Sequence, residues 1–368
     1  MPREDEDLIR GVLMPDDFPY LELIELAESL SRMDVFVPGY IPPLCGMYHP
    51  DGFIYEHEIE GNKTVLLPDR NVTSRFAQIA AGETLDNNKQ RQVACSIMAF
   101  CQCLDIEIEP SISFHELAQK ESNEVAWAEL RLFRVADNGN PFEWVDLALN
   151  RRGGLKEEDA NFKESKLDLE FPLRRWNRNY IVTLKIAELE ITQKKGTHLE
   201  RLMLLIDWMY SDFMLADPAA LLAAIYFAPN SPPRKGLIKN LRSSDRERAV
   251  LGVKNAAWDL TYLSDFALRV TEGAGTGSRY VFASFDVNLK NIAKMIFGYS
   301  TVMEQKEELV AVLREWWVPG DAVEIANRLL SFADHADDLK WLAKKPKSST
   351  YVQDFIQEGE SRLRCWTP

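Results

Sequence analysis

Apolar runs that stop at an acidic residue are the clearest pattern in this chain. Residues 64–68 are almost wholly apolar, Asp69 follows at once, and Asn71 opens a helix-like pattern two positions later. The same order recurs at 280–285, where Asp286 and a second helix-like stretch follow. Buried parallel strands are apolar on both faces, and ligands of open α/β sheets bind beyond the carboxyl ends of the strands. The pattern predicts two strands, each ending in an aspartate placed for chemistry.

The rest of the hydrophobic periodicity predicts a chain dominated by helices. Apolar residues recur at helical spacing in 15–33, 72–81, 88–104, 172–228, 244–270, 288–297, 302–317 and 321–345. Asn71 has the side chain of a good N-cap for the second of these helices. Short strands are predicted at 34–37 and 106–109, a hairpin at 53–59, and loops across the turn-rich segment 135–170.

Two acids on predicted helices extend the strand-end pair. Asp259 lies on the flank of the apolar stripe of helix 244–270, and it needs a partner because burying an unpaired charge is costly. Asp265 points to the opposite side and is interpreted as an ordinary surface acid. Glu116 is open to two interpretations: a site carboxylate, or the Glu of a capping box that bonds back to the backbone of Ser113.

The charge balance narrows the classes of partner. A net charge of −14 and a pI near 5.0 argue against a protein that coats nucleic acid nonspecifically. A nuclease is not excluded, because an acidic metal site can lie beside a local basic groove. The basic stretch Arg234, Lys235, Lys239 and Arg242 is the candidate nucleic-acid contact, although a solvated loop and helix start explains it equally well.

Cysteine placement and hydropathy favour a cytoplasmic setting. Cys95, Cys101 and Cys103 have no histidine at zinc spacing and are interpreted as buried helix thiols in a reducing cytosol. No apolar run reaches membrane-spanning length, and the acidic residues 1–7 precede no signal-peptide core. We therefore expect a cytoplasmic protein without a membrane partner. The acidic segment 334–338 could bind a metal, but a solvated helix face is the preferred interpretation.

Clustered carboxylates have a defined chemical use. Several acids in one cleft repel one another unless cations lie among them, and oxygen-only ligands suit Mg²⁺ or Mn²⁺ rather than zinc. Such a cation lowers the pKa of a bound water and stabilises the charge that develops on a phosphodiester. No serine or cysteine nucleophile pairs convincingly with a histidine in the sequence, and this chemistry requires none.

In combination, four short motifs resemble the PIN-domain family of metal-dependent nucleases. They are Leu-Leu-Pro-Asp-Arg-Asn-Val (66–72), Phe-His-Glu-Leu-Ala (114–118), Ala-Trp-Asp-Leu (257–260) and Phe-Ala-Ser-Phe-Asp (282–286). Their order is a strand-end Asp, a helical Glu, a helical Asp and a second strand-end Asp. The resemblance implies four catalytic carboxylates that hold Mg²⁺ or Mn²⁺: Asp69, Glu116, Asp259 and Asp286. It also implies two supporting residues, Asn71 and Ser284.

The resemblance further implies an α/β fold: a PIN-like core with a central, mostly parallel sheet, a large helical insertion and a helical C-terminal tail. About 140 residues separate Glu116 from Asp259, which leaves room for that insertion. The expected division is an N-terminal extension (1–62), the first half of the core (63–120), the helical insertion (121–243), the second half of the core (244–298) and a helical C-terminal extension (299–368).

The function implied is that of an endoribonuclease, with RNA a better match than DNA. Two alternatives stay open: a catalytically inactive PIN-like scaffold that binds a protein through its helical regions, and a structure-specific DNA nuclease. Clustering of the four acids favours the enzyme, whereas salt bridges to them from nearby Arg or Lys favour the scaffold. The oligomeric state stays open as well.

Overall fold

The computed structural model of the chain describes residues 12–83, 89–156, 167–214, 217–231, 234–300, 306–333 and 350–367. The acidic segment 334–338, considered above as a metal site, lies outside the described residues. None of the helices in the described ranges is both long and apolar enough to cross a membrane.

Within these ranges the strands form one small mixed sheet. The four strands are β1 (Phe36–Pro38), β2 (Lys63–Pro68), β3 (Glu107–Ile108) and β4 (Ser278–Ala283). They lie in the order β1-β4-β2-β3, with β2 parallel to β3 and β4, and with β1 antiparallel to β4. The strands predicted from the two apolar runs are confirmed as β2 and β4, and the α/β class is confirmed in this coarse form.

The register of the central pair places both strand ends together. Pro68 of β2 pairs with Ala283 of β4, so the two strands end at the same edge of the sheet. Asp69 and Ser284 are therefore the first residues beyond that edge. The backbone N–H of Asp69 donates to the carbonyl oxygen of Ala283 at 2.9 Å, which extends the ladder by one bond.

Helices make up most of the described chain. Early in the chain they are α1 (Tyr20–Met33), α2 (Pro50–Ile54), a π-helix (Tyr55–Ile59), α3 (Arg70–Ala80), α4 (Lys89–Cys103), α5 (Ser111–Lys120), α6 (Asn123–Asp137) and α7 (Pro141–Ala148). Later they are α8 (Arg174–Thr192), α9 (His198–Ser211), α10 (Asp217–Phe227), α11 (Arg234–Leu237), α12 (Arg246–Gly273), α13 (Val287–Ser300), α14 (Lys306–Leu313), α15 (Pro319–Ala333) and α16 (Tyr351–Cys365).

Two predictions of irregular or extended structure are wrong for the same reason. The expected hairpin at 53–59 is the end of α2 and the π-helix, and α7 lies within the segment predicted as loops. Helices α2 and α7 each begin with proline after a polar residue whose side chain accepts a backbone N–H. His49 caps α2 by accepting from Asp51 at 3.2 Å, and Asn140 caps α7 by accepting from Phe142 at 2.9 Å. Proline at the first helical position starts a helix rather than breaking one.

The chain divides into two compact units. The first unit comprises Met1–Phe114, Glu124–Leu167 and Glu272–Phe285, and it contains the sheet. The second unit comprises His115–Asn123, Asp168–Thr271 and Asp286–Pro368. Most of α5 and α12, and all of α8 to α10 and α13 to α16, belong to this second unit.

Helix α4 provides much of the apolar core of the first unit. It packs against α1, α3 and α7, and its residues from Val93 to Cys101 are all buried. The interpretation of the cysteines as core thiols is confirmed for Cys95 and Cys101, which are fully buried. Burial raises the pKa of the Cys95 thiol to about 12, so this side chain is an apolar core residue and a poor nucleophile at neutral pH.

The second unit is built on long helices buried over most of their length. Helix α8 contacts α9, α10 and α16, and the Tyr180 hydroxyl donates to Glu360 of α16 at 2.6 Å. Helix α12 lies very close to the backbone at Lys239. A Cβ at Gly252 would lie 1.8 Å from the carbonyl oxygen of Lys239. Glycine is the residue that permits this approach.

Candidate active site

Asp69 is a buried carboxylate that begins a helix. Its side chain accepts the backbone N–H of Val72 at 3.1 Å, which makes Asp69 the N-cap of α3. The residue is only 3% exposed. The prediction that Asn71 caps this helix is wrong, because the helix starts at Arg70 and Asn71 lies in its first turn.

Ser284 supports Asp69 from the neighbouring strand end. Its hydroxyl donates a short hydrogen bond to the second carboxylate oxygen of Asp69, and Ser284 is fully buried. The backbone N–H of Ser284 donates to the carbonyl of Val35 at 3.2 Å, which fixes the serine at the end of β4. Each oxygen of Asp69 therefore accepts a bond from a neutral donor, one a backbone N–H and the other a hydroxyl.

Asn71 joins the start of α3 to the chain beyond β4. Its side-chain oxygen accepts the backbone N–H of Phe285 at 3.1 Å. Asp286 is the next residue in the chain. Two consecutive residues before Asp286 therefore bind the start of α3: Ser284 donates to Asp69, and Phe285 donates to Asn71.

Two further hydroxyls, which the sequence motifs do not predict, lie near Asp69. Thr73 donates to the carbonyl oxygen of Asp69 at 3.0 Å and lies 2.9 Å from the hydroxyl of Ser113. Ser113 also approaches the carbonyl oxygen of Pro68 at 3.4 Å. The capping box is not formed, because α5 begins at Ser111 and the N–H of Ser113 donates to Pro110 at 2.9 Å. The spacing of Thr73, four residues after Asp69, is the one available sequence signal.

Glu116, in the second unit, has a different environment. It is 5% exposed, and its two carboxylate oxygens accept from different side chains. The Lys120 ammonium lies 2.6 Å from one oxygen, and the Tyr262 hydroxyl donates to the other at 2.7 Å. The arrangement gives Glu116 a cationic partner from its own helix and a neutral partner from α12.

Asp286 is an exposed helix cap. One of its carboxylate oxygens accepts the backbone N–H of Asn288 at 2.8 Å and that of Leu289 at 3.1 Å. The side chain therefore stabilises the start of α13.

Asp259 is half-buried on α12, beside a buried stripe that contains Leu260 and Leu263. This matches the predicted position on the flank of the stripe. The interpretation of Asp265 as an ordinary surface acid is wrong. Its side chain is 16% exposed and pairs with Arg269 at 2.7 Å and Arg175 at 3.8 Å, because an arginine follows it at the next turn and α8 supplies another.

The described residues hold no ready-made metal site. Among them, no group of three or more His, Cys, Asp or Glu side chains is placed to hold a metal ion. Asp69 belongs to the first unit, whereas Glu116, Asp259 and Asp286 belong to the second. The metal role of these four carboxylates stays a prediction.

The predicted nucleic-acid contacts are described only in part. Lys239 is exposed, and Arg242 is exposed but pairs with Glu190 at 3.1 Å. The side chains of Arg234 and Lys235, at the start of α11, lie outside the described part of the structure. Glu190 also pairs with Arg201 at 3.3 Å, so Arg242 shares its carboxylate with a second arginine.

A cleft of about 840 Å³ lies in the first unit at the opposite ends of the strands. Lys63, at the start of β2, and Glu107, at the start of β3, line it and form a salt bridge. Ligand sites of parallel sheets lie beyond the carboxyl ends of the strands, where Asp69 is found, and not at this edge.

In comparisons with protein-family models, curated proteins and solved structures, none was found to match this chain. A fold by itself does not specify a reaction, since one architecture supports many chemistries. Function is therefore inferred from the residues around Asp69 and Glu116.

Proposed function

We propose that the protein is a cytoplasmic, divalent-metal-dependent phosphodiesterase with a PIN-like core, and that it cleaves RNA internally. One observation carries the proposal: the Ser284 hydroxyl donates to the buried carboxylate of Asp69 where two parallel strands end. A carboxylate fixed at that edge is placed where α/β sheets bind ligands.

The donors around Asp69 suit a metal-binding carboxylate. A backbone N–H and a hydroxyl, both neutral groups, donate to its two oxygens. A carboxylate offers about four lone-pair sites, so these two bonds are compatible with a bond from the same group to a cation. Outer hydrogen bonds of this kind orient metal ligands and tune their basicity.

The further carboxylates that the resemblance implies are Asp286 and Asp259. Oxygen ligands of this type suit Mg²⁺ or Mn²⁺. When bound, such a cation would supply an activated water and stabilise charge on the phosphodiester. The chain's own contribution is positional: Asn71 holds the N–H of Phe285, and the two N–H groups at the start of α13 hold one oxygen of Asp286.

Asp286→Asn tests the proposal because asparagine keeps the oxygen that caps α13 and removes the charge. Asp245→Asn is a matched control, since Asp245 caps α12 through the N–H groups two and three residues later, at 3.2 and 3.3 Å. We expect the wild type to cleave single-stranded RNA with Mg²⁺ or Mn²⁺, the Asp286 variant to lose cleavage while remaining folded, and the Asp245 variant to cleave normally.

Metal-induced stabilisation gives a second measurement on the same samples. A ligand that binds the folded state raises the melting temperature. We expect Mn²⁺ to raise it in the wild type and in Asp245→Asn, and to raise it less in Asp286→Asn. Equal cleavage and equal shifts in all three proteins would show that Asp286 is only a cap, and would remove the metal-dependent mechanism proposed for it. Faster cleavage of structured DNA than of RNA would make DNA the substrate. The proposed metal-dependent mechanism would be unchanged.

A second candidate function is a PIN-like module without catalytic activity that binds a protein through its helices. The observation in its favour is the Lys120–Glu116 salt bridge at 2.6 Å, which neutralises one of the four predicted metal ligands. A folded wild-type protein that cleaves no RNA or DNA and shows no shift with Mn²⁺ would favour this candidate.

A further inference from the structure

Glu116, Lys120 and Tyr262 form a compact hydrogen-bonded group in the second unit. The Glu116 carboxylate is buried, and a buried charge is retained only when it is paired and hydrogen-bonded. Lys120 and Tyr262 meet that requirement, one at each oxygen, at 2.6 and 2.7 Å. Glu116 therefore has the environment of a structural anion held by a cation of the protein itself.

Tyr262 makes this group rigid. Its ring is buried on α12, and its hydroxyl reaches a residue 146 positions away in the chain. Asp259 lies three residues earlier on α12, so the two side chains share one helix face. The Tyr262–Glu116 bond thus connects α5 to the face of α12 that carries the predicted ligand Asp259.

The charge of Lys120 argues against a metal at Glu116. An ammonium group 2.6 Å from a carboxylate oxygen occupies the position that a cation would take at that oxygen. Two positive charges at such close range repel each other strongly in a partly buried site. Glu116 and Lys120 together therefore replace a carboxylate–metal pair with a carboxylate–ammonium pair.

Lys120 is also accessible. Its side chain is 43% exposed, whereas that of Glu116 is 6% exposed. An ammonium group has three N–H donors, and the bond to Glu116 uses one of them. Lysine is a common phosphate ligand that acts as a point charge. Because Tyr262 fixes Glu116, the ammonium is held at one place instead of sampling the surface.

We propose that Lys120 is a phosphate-binding residue of this protein and that Glu116 is the positioning residue that orients it, not a metal ligand. The ligand class is the phosphodiester backbone of single-stranded RNA, so the inference rests on the proposed nuclease function. Lys120 thus provides the positive charge next to Glu116 that a further divalent cation would otherwise provide.

The first test measures RNA affinity without metal. A fluorescent single-stranded oligouridine is titrated in EDTA at several salt concentrations, with wild type, Lys120→Met, Lys120→Arg and Lys185→Met. Loss of one charged phosphate contact should weaken binding about tenfold. It should also reduce the slope of log affinity against log salt by about 0.7, the value for one contact on a single strand. Lys120→Arg keeps the charge and should retain most of the affinity.

Lys185→Met is the matched control. It also removes one lysine charge from an ion pair within one helix, since Lys185 lies 3.1 Å from Glu188 three residues later. It should bind RNA as the wild type does. An affinity and salt slope of Lys120→Met equal to those of the wild type would overturn the role of Lys120.

The second test measures Mn²⁺ binding by calorimetry with Glu116→Gln and Asp286→Asn, after melting curves confirm that both variants fold. Glutamine keeps an oxygen acceptor for Tyr262, so we expect the Mn²⁺ affinity of Glu116→Gln to stay within about threefold of the wild type. Removing a group that supports a metal ligand typically costs about 10- to 100-fold in metal affinity. Asp286→Asn should lose Mn²⁺ binding. Equal losses in both variants would make Glu116 a ligand and overturn its positioning role.

The two proposals fail in different ways. If the wild type neither binds Mn²⁺ nor cleaves RNA, the nuclease function fails, and this inference fails with it. If the wild type does both while Lys120→Met binds RNA normally, only the inference about Lys120 fails.

Discussion

Asp69 and Glu116 are both buried acids with a hydrogen-bond donor at each carboxylate oxygen, yet these donors differ in charge. Asp69 is held by a backbone N–H and the Ser284 hydroxyl, which are neutral. Glu116 is held by the Lys120 ammonium and a phenol. The two residues are buried to a similar extent, so burial does not separate the two sites. The charge of these donors does: the Lys120 ammonium brings a positive charge to Glu116, whereas the N–H of Val72 and the hydroxyl of Ser284 bring none to Asp69.

The largest effect should come from Asp69→Asn. Asparagine keeps the oxygen that caps α3, and Ser284 can accept from the new amide, so the fold should survive. The lost charge should lower kcat/KM for RNA cleavage by about 100-fold or more, because metal-ion stabilisation of the transition state is worth several kcal/mol. Steady-state kinetics and thermal melting on one preparation give both quantities. A variant as active as the wild type would make Asp69 a cap alone and would end the contrast with Glu116.

Tyr262→Phe tests the other region. Phenylalanine removes one donor from a buried carboxylate and leaves Lys120 on the opposite oxygen. A hydrogen bond to a charged group contributes about 1.5–3 kcal/mol, and the free energy of unfolding should fall by that amount. Denaturant titration gives this value. Mn²⁺ affinity, measured by calorimetry, should stay unchanged; a large decrease would indicate that Glu116 binds metal and that its environment resembles that of Asp69 after all.

Ser284→Ala should have the opposite effect to Tyr262→Phe: it should weaken Mn²⁺ binding more than it lowers stability. Removing a group that orients a metal ligand typically costs 10- to 100-fold in metal affinity. We expect such a loss of Mn²⁺ affinity, together with a smaller loss of stability, since the N–H of Val72 still holds the other oxygen of Asp69. Ser264→Ala is a suitable control, because Ser264 is a buried hydroxyl of α12 that accepts from Asn179 at 3.0 Å. A loss of stability without any change in Mn²⁺ binding would make Ser284 purely structural.

The position of Asp69 at a strand end could be predicted from the sequence because its signals are local. An apolar run followed by Asp predicts a buried strand and an acid at its end, and β2 with Asp69 follows that pattern. Asn71 was the exception: both Asp69 and Asn71 suit an N-cap, and spacing alone does not choose between them. The choice follows from β2 ending at Pro68, which leaves Asp69 with extended backbone at the helix start.

The contacts of Glu116 could be predicted from the sequence only in part. Lys120 stands four residues after Glu116, so their pairing could have been inferred from helical spacing. Tyr262 gives no such signal, since its contact with Glu116 depends on the packing of α12 against α5 across 146 positions of sequence. Ser113 and Thr73 are similar, because their contact joins residues 40 positions apart. Long-range side-chain contacts of this kind depend on the tertiary fold.

Asn71→Ala should produce the smallest change, and it separates the two interpretations of this residue. Its oxygen accepts the N–H of Phe285 in the structure, so alanine removes one neutral hydrogen bond worth about 1 kcal/mol. Helix α3 keeps its cap at Asp69, and helicity by circular dichroism should therefore stay unchanged. Mn²⁺ affinity should fall by about tenfold at most, the lower end of such effects, because Asn71 acts on the backbone before Asp286 rather than on a carboxylate. Asn71→Asp keeps an oxygen acceptor and should retain the stability that alanine loses. A loss of α3 helicity in Asn71→Ala, with Mn²⁺ affinity intact, would restore the capping role and detach Asn71 from the site of Asp69.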